Sequence, residues 1–299
     1  MFLPFILAEG SPSIELELSF KTTLDEYEMG YSSVSFTISD DIIYVVNGAN
    51  FGNAILKFDL AGHYLEEYPG FFNFPHDILI GGERQALVSA LRAMDSPGPD
   101  GKLGFGFVVY DSHGNFLHGL HQNQSGLRRP FGMTKMSEGG DRFLAADRGG
   151  NMTYLMDIDW TDGTVKDRQE LIGVPWPSSL DMSTQQIVVA SLVCCQLEEF
   201  IKMTIYDLSG NLMQELTHLP TGEKIVDPRD VALDPLGNIL LSDSVLGTVV
   251  LSTDGTSLLT KLALEPPPQK MVFYQEKLYT LHDEKEGKDS FINVYKYSF

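Results

Sequence analysis

The chain has 299 residues, 43% of them hydrophobic, enough to bury a large core, and length alone would allow two domains. Its 21 basic residues stand against 41 acidic ones, and the net charge of −20 repels nucleic-acid phosphates and anionic membranes unless the charges are segregated. The only two cysteines, Cys194 and Cys195, are adjacent, which excludes a disulfide framework.

The chain opens on MFLPFILA, which is apolar but too short to span a bilayer and lacks the basic flank of a full signal peptide. No membrane span is expected. A cytoplasmic location is favoured, and an extracytoplasmic one if this segment is the remnant of a trimmed signal. SIELELSF, residues 13–20, alternates as a half-buried strand does.

From there the chain repeats. The first unit reads VSFTI, IIYVVN and AILKFD, the second DILIG, ALVSAL and FVVYD, the third GMTKM, FLAAD and TYLMDI. The fourth reads SLDM, IVVAS and MTIYD, the fifth DVALD, ILLSD and TVVLS, the sixth KMVFY, LYTLH and INVYKY. In each unit the second run is apolar nearly throughout, as expected of a strand buried on both faces. A fourth, more polar run such as NLMQELTHL follows a turn whose glycine recurs at Gly62, Gly114, Gly163, Gly210 and Gly255. A proline opens the first strand at Pro75, Pro130, Pro177, Pro228 and Pro268, and Tyr31 takes that slot in the first unit.

The repeat predicts six units of four antiparallel strands, at about 28–70, 71–120, 126–172, 173–219, 225–263 and 266–299, within a single domain over 1–299. The sixth unit reaches Phe299 after three strands, and the strand at 13–20 is expected to supply the fourth and close the ring. The stretch PRDVALDPLGNILLSD, Pro228 to Asp243, resembles an NHL repeat, strongest over 227–261, and the other units share its proline and turn glycine. The resemblance implies an all-β, six-bladed β-propeller.

Propellers work at the axial mouth and on the loops around it. The two residues after each proline slot predict a first ring of Ser32, His76, Phe131, Ser178, Arg229 and Gln269, and a second of Ser33, Asp77, Gly132, Ser179, Asp230 and Lys270. A metal-dependent lyase or hydrolase would hold zinc on several histidines or calcium on several carboxylates, as propellers resembling the peptidylglycine amidating lyases and the lactonases do. Here only His76, Asp77 and Asp230 are candidates, with His282 as an added ligand. The plainer expectation is that Asp77 and Asp230 cap amides or pair with Arg229 or Lys270, and that Asp243 accepts bonds from loop amides. No catalytic residue is assigned and no cofactor is expected, calcium or zinc being what the metal-dependent alternative requires.

What remains is a set of aromatic and cationic residues suited to recognition: Phe72, Phe74, His76, Arg128, Arg129, Phe131, Arg148, Trp176 and Arg229. The expected function is therefore non-catalytic binding of a protein or peptide on the loop face near the axis. Single-stranded RNA on Arg128, Arg129, Phe131 and Arg148 is the alternative that the NHL resemblance implies, and DNA is not expected. The loops assigned to this face are close to neutral, so most of the acidity lies elsewhere.

Overall fold

The computed structural model describes residues 11–22, 32–48, 53–70, 72–93, 106–121, 130–135, 142–147, 152–158, 165–171, 177–192, 201–283 and 289–298. They form four-stranded antiparallel sheets arranged as a propeller, with no α-helix among them. After β1 (Ser13–Lys21), five sheets each take four consecutive strands. The first is β2 (Ser32–Ser39), β3 (Ile42–Gly48), β4 (Ala54–Asp59) and β5 (Tyr64–Pro69); the second is β6 (Phe72–Ile80), β7 (Ala86–Ala93), β8 (Gly106–Tyr110) and β9 (Phe116–His121). The third is β10 (Pro130–Lys135), β11 (Arg142–Asp147), β12 (Met152–Ile158) and β13 (Val165–Leu171); the fourth is β14 (Pro177–Met182), β15 (Gln186–Ser191), β16 (Lys202–Asp207) and β17 (Leu212–Leu216). The fifth is β18 (Pro228–Leu233), β19 (Ile239–Asp243), β20 (Gly247–Leu251) and β21 (Leu258–Leu262).

A sixth sheet joins both ends of the described residues. It contains β22 (Lys270–Tyr274), β23 (Lys277–Asp283) and β24 (Ser290–Ser298), and β1 pairs antiparallel along β24 from Ser13–Ser298 to Lys21–Phe291. The innermost strands touch in the order β2, β6, β10, β14, β18, β22 and back to β2. The core is accordingly divided into six clusters, one between each pair of adjacent sheets. This explains the unbroken apolar second strands. In β15, for example, Val188 and Ala190 face the fifth sheet while Ile187 and Val189 face the third, so no position is left for a solvated side chain.

Turns recur because one aspartate can satisfy two amides. Asp59, Asp111, Asp207 and Asp234 each accept from the backbone N–H groups two and four residues on, and in the last three an asparagine side chain joins. The glycine of such a turn also meets the neighbouring sheet. Gly114 has φ +79°, and a Cβ there would fall 2.1 Å from Cδ1 of Tyr68 on β5.

Candidate axial site

Each innermost strand turns an unpaired edge to the axis, where its amides need partners. Aspartates of adjacent sheets supply them. Asp77 on β6 accepts from the Met133 N–H of β10 at 2.7 Å, and its other oxygen accepts from the Ser35 hydroxyl of β2 at 2.5 Å and the Ile78 N–H at 3.0 Å. Asp230 on β18 accepts from the Met271 N–H of β22 at 2.6 Å and from the Ser179 hydroxyl of β14. Asp181 on β14 accepts from the Leu233 N–H of β18 at 2.8 Å, the Met182 N–H at 2.8 Å and the Thr134 hydroxyl at 3.0 Å.

Lys270, on β22, enters this network from the closing sheet. Its Nζ lies 3.6 Å from Asp77 Oδ2 and 3.8 Å from Asp230 Oδ1, with both carboxylates almost fully buried. Ser35, Asp77, the Met133 amide, Ser179, Asp230 and Lys270 thus link all six sheets at the axis. Burial pushes Asp230 up to about 7 against the opposing pull of Lys270, and burial raises Asp181 as well. For Lys270, burial alone would favour the neutral amine, but Asp77, Asp230 and Asp181 together hold it above its ordinary value, so it is charged.

The cluster separates two chambers. On one side is a mouth of about 370 Å³, lined by Ser35, His76, Ser178, Arg229, Gln269 and the cluster itself. Beyond it lies a second chamber of about 270 Å³, and Asp77 and Lys270 border both. One rim of the mouth is built by Asp243, fully buried at the end of β19. Its carboxylate accepts four backbone N–H bonds, from Val226, Asp227, Val245 and Leu246 at 2.8 to 3.0 Å, and so fixes the approach to Arg229.

The metal-dependent alternative does not fit these residues. The oxygens of Asp77 and Asp230 are committed to amides and hydroxyls, and the Lys270 ammonium sits where a cation between them would have to go. Among the described residues no group of three or more His, Cys, Asp or Glu side chains could hold a metal ion. His282 is no partner for His76. Its ring nitrogens contact the Pro266 carbonyl at 2.8 Å and the Thr280 hydroxyl at 2.6 Å, beside a different cavity in the closing sheet.

Two further readings are corrected. The proline slots place His76, Asp77, Ser178, Ser179, Arg229, Asp230, Gln269 and Lys270 correctly at the mouth. In the first sheet, however, the expected Ser32 and Ser33 give way to Val34 and Ser35. The β-bulge that follows Pro75, Pro177 and Pro228 falls there between Ser33 and Ser35, so Ser33, not Tyr31, occupies the slot. Phe72 is not a surface aromatic: it is fully buried on β6, edge-on to Tyr110. Asp181 was not anticipated; its signal is a lone carboxylate within an otherwise short inner strand. Phe74 and Phe131 lie on β6 and β10 with side chains outside the described ones, and Arg128, Arg129, Arg148 and Trp176 lie outside the described residues altogether.

Solved structures share this architecture. A protein of unknown function from Desulfotomaculum acetoxidans DSM 771 superposes with TM-score 0.56 at 15% identity, covering 79% of this chain and 73% of its own. A candidate 6-phosphogluconolactonase from Bacteroides uniformis ATCC 8492 does so with TM-score 0.55 at 12% identity, covering 85% and 82%. The sequence matches no family model and no curated protein sequence. The shared feature is the β-propeller fold.

Proposed function

We propose that this protein is a non-catalytic recognition propeller that receives part of a protein or peptide partner in its axial mouth. The observation that carries the reading is the blind floor of that mouth: its carboxylates are committed to backbone amides and Lys270, while the cavity above them remains open. Its volume falls in the range of sites that accept a small ligand or a few side chains. We count six blades, the sixth made by β1 with β22–β24, and read the protein as NHL-like. Each part of the PRDVALDPLGNILLSD pattern has a task in the fifth sheet: Pro228 opens β18, Asp234 and Asn238 close the turn, and Asp243 clamps the loops.

A selection from a random peptide display library on the purified protein tests the reading, with Ser178→Trp as the counter-selection because a tryptophan there fills the mouth. The expected result is a convergent peptide that binds the parent and not the variant, at equal thermal stability. No convergence, or equal binding to both, would sink it.

A further inference from the structure

Donors and acceptors at the mouth are out of balance. Its carboxylates are all engaged: Asp77 accepts three hydrogen bonds, Asp230 two, and Asp227 one from the Ser244 hydroxyl. Its two permanent cations are held only by long ion pairs. The carboxylates beside Lys270 stand at 3.6 and 3.8 Å, and Arg229 Nε is 3.9 Å from Asp227, all longer than a hydrogen bond. Among the described residues neither cation makes a shorter contact to an acceptor.

We infer that the mouth binds a carboxylate of the partner, held by Arg229 at the rim and Lys270 at the floor. The inference rests on the recognition reading above and names what is recognised. An ammonium or guanidinium whose acceptors are out of reach loses hydrogen-bond energy that an incoming oxygen restores, and a guanidinium matches a carboxylate with two parallel donors. Charge at the site does not oppose this. Fully ionised, the lining carries Arg229 and Lys270 against Asp77, Asp227 and Asp230, an excess of one negative charge. Asp230 faces Lys270 and Asp77 together with the Ser179 hydroxyl and the Met271 amide, and its raised pKa of about 7 lets it take a proton and cancel that excess. The protein's overall charge of −20 argues against a strongly acidic partner, so one carboxylate on an otherwise neutral segment is the fitting ligand. Two sources share this chemistry: the terminal carboxylate of a polypeptide and an Asp or Glu side group.

The test is amide NMR of the whole protein at pH 6.5 with three probes. N-acetylglycine carries a terminal carboxylate, N-acetylglutamic acid α-amide a side-chain one, and N-acetylglycinamide none. One or both acids should shift the Arg229 and Met271 signals saturably, at least about tenfold more tightly than the amide. The acid that binds better identifies the source. Arg229→Gln should abolish the preference at unchanged thermal stability, and Arg229→Lys should restore part of it. Equal binding of all three probes, an unaltered preference in Arg229→Gln, or no saturable shift by either acid would overturn the carboxylate assignment. The display selection judges peptide recognition itself, so a convergent peptide lacking any carboxylate would leave that reading standing while removing this one.

Discussion

Lys57 and Lys202 at the periphery and Lys270 at the axis, all on strands of this propeller, are treated differently. Lys57 on β4 reaches Glu66 at 2.5 Å and the Tyr68 hydroxyl at 2.8 Å, and Lys202 on β16 reaches Glu215 at 2.5 Å. Their partners are about half exposed, so solvent shares the negative charge. Lys270 has two partners that are 2 and 3% exposed, and its ammonium stands 3.6 and 3.8 Å from them. The outer lysines are finished structural contacts that pin a third strand to a fourth. The axial one balances buried charge and lines an open cavity, and that difference distinguishes a site from a brace.

The largest expected effect breaks the axial side of the comparison. Lys270→Met leaves Asp77 and Asp230 buried with no counter-charge, and breaking a buried pair in this way costs about 3–5 kcal/mol, readable by urea denaturation at pH 8. A loss below about 1 kcal/mol would mean that the carboxylates do not depend on the ammonium. Asp230→Asn should sharpen the contrast through pH. Because the folded pKa of Asp230 is raised to about 7 while the unfolded value is about 3.9, the native state holds the extra proton between them. The contribution of Asp230 to stability therefore falls as pH rises from about 4 to about 7, by up to about 4 kcal/mol, and is flat above. The asparagine variant lacks that slope, so the stability difference between parent and variant should shift by this amount over the same range. Parallel stability curves would place Asp230 in contact with water.

Much of the axial site was legible because proline marks a place. Pro75, Pro177 and Pro228 each stand just before a bulge in an inner strand, and the second residue after each points to the axis. The first sheet has no proline, and its slot was misplaced by two residues for want of that marker. Phe72 was misread for a related reason: β6 begins before its proline, so an aromatic that looked like a loop residue belongs to the strand and its core. The pairing of Lys270 with Asp77 was legible only as one alternative among several, from their shared place in the second ring. It depends on ring closure bringing β22 near β6, which is a property of the whole circle.

The smaller effects probe the periphery, and Tyr68 is where they meet. Its hydroxyl takes a bond from Lys57 and donates to the Ser112 carbonyl at 2.6 Å, while its ring fills the space beside Gly114 in the turn of the next sheet. Gly114→Ala adds a Cβ at a positive φ against that ring, for a loss of about 2–4 kcal/mol. Gly222→Ala shares the positive φ at +93° but meets nothing within 4 Å, so it should lose only about 1 kcal/mol. Lys57→Met should cost least, about 0.5 kcal/mol. The methionine keeps the packing of the lysine stem, Glu66 relaxes into solvent, and the Tyr68 hydroxyl retains Ser112. If Lys57→Met instead proved as damaging as Lys270→Met in the same denaturation series, solvent at Glu66 would not be sharing its charge, and peripheral and axial lysines would be the same kind of contact.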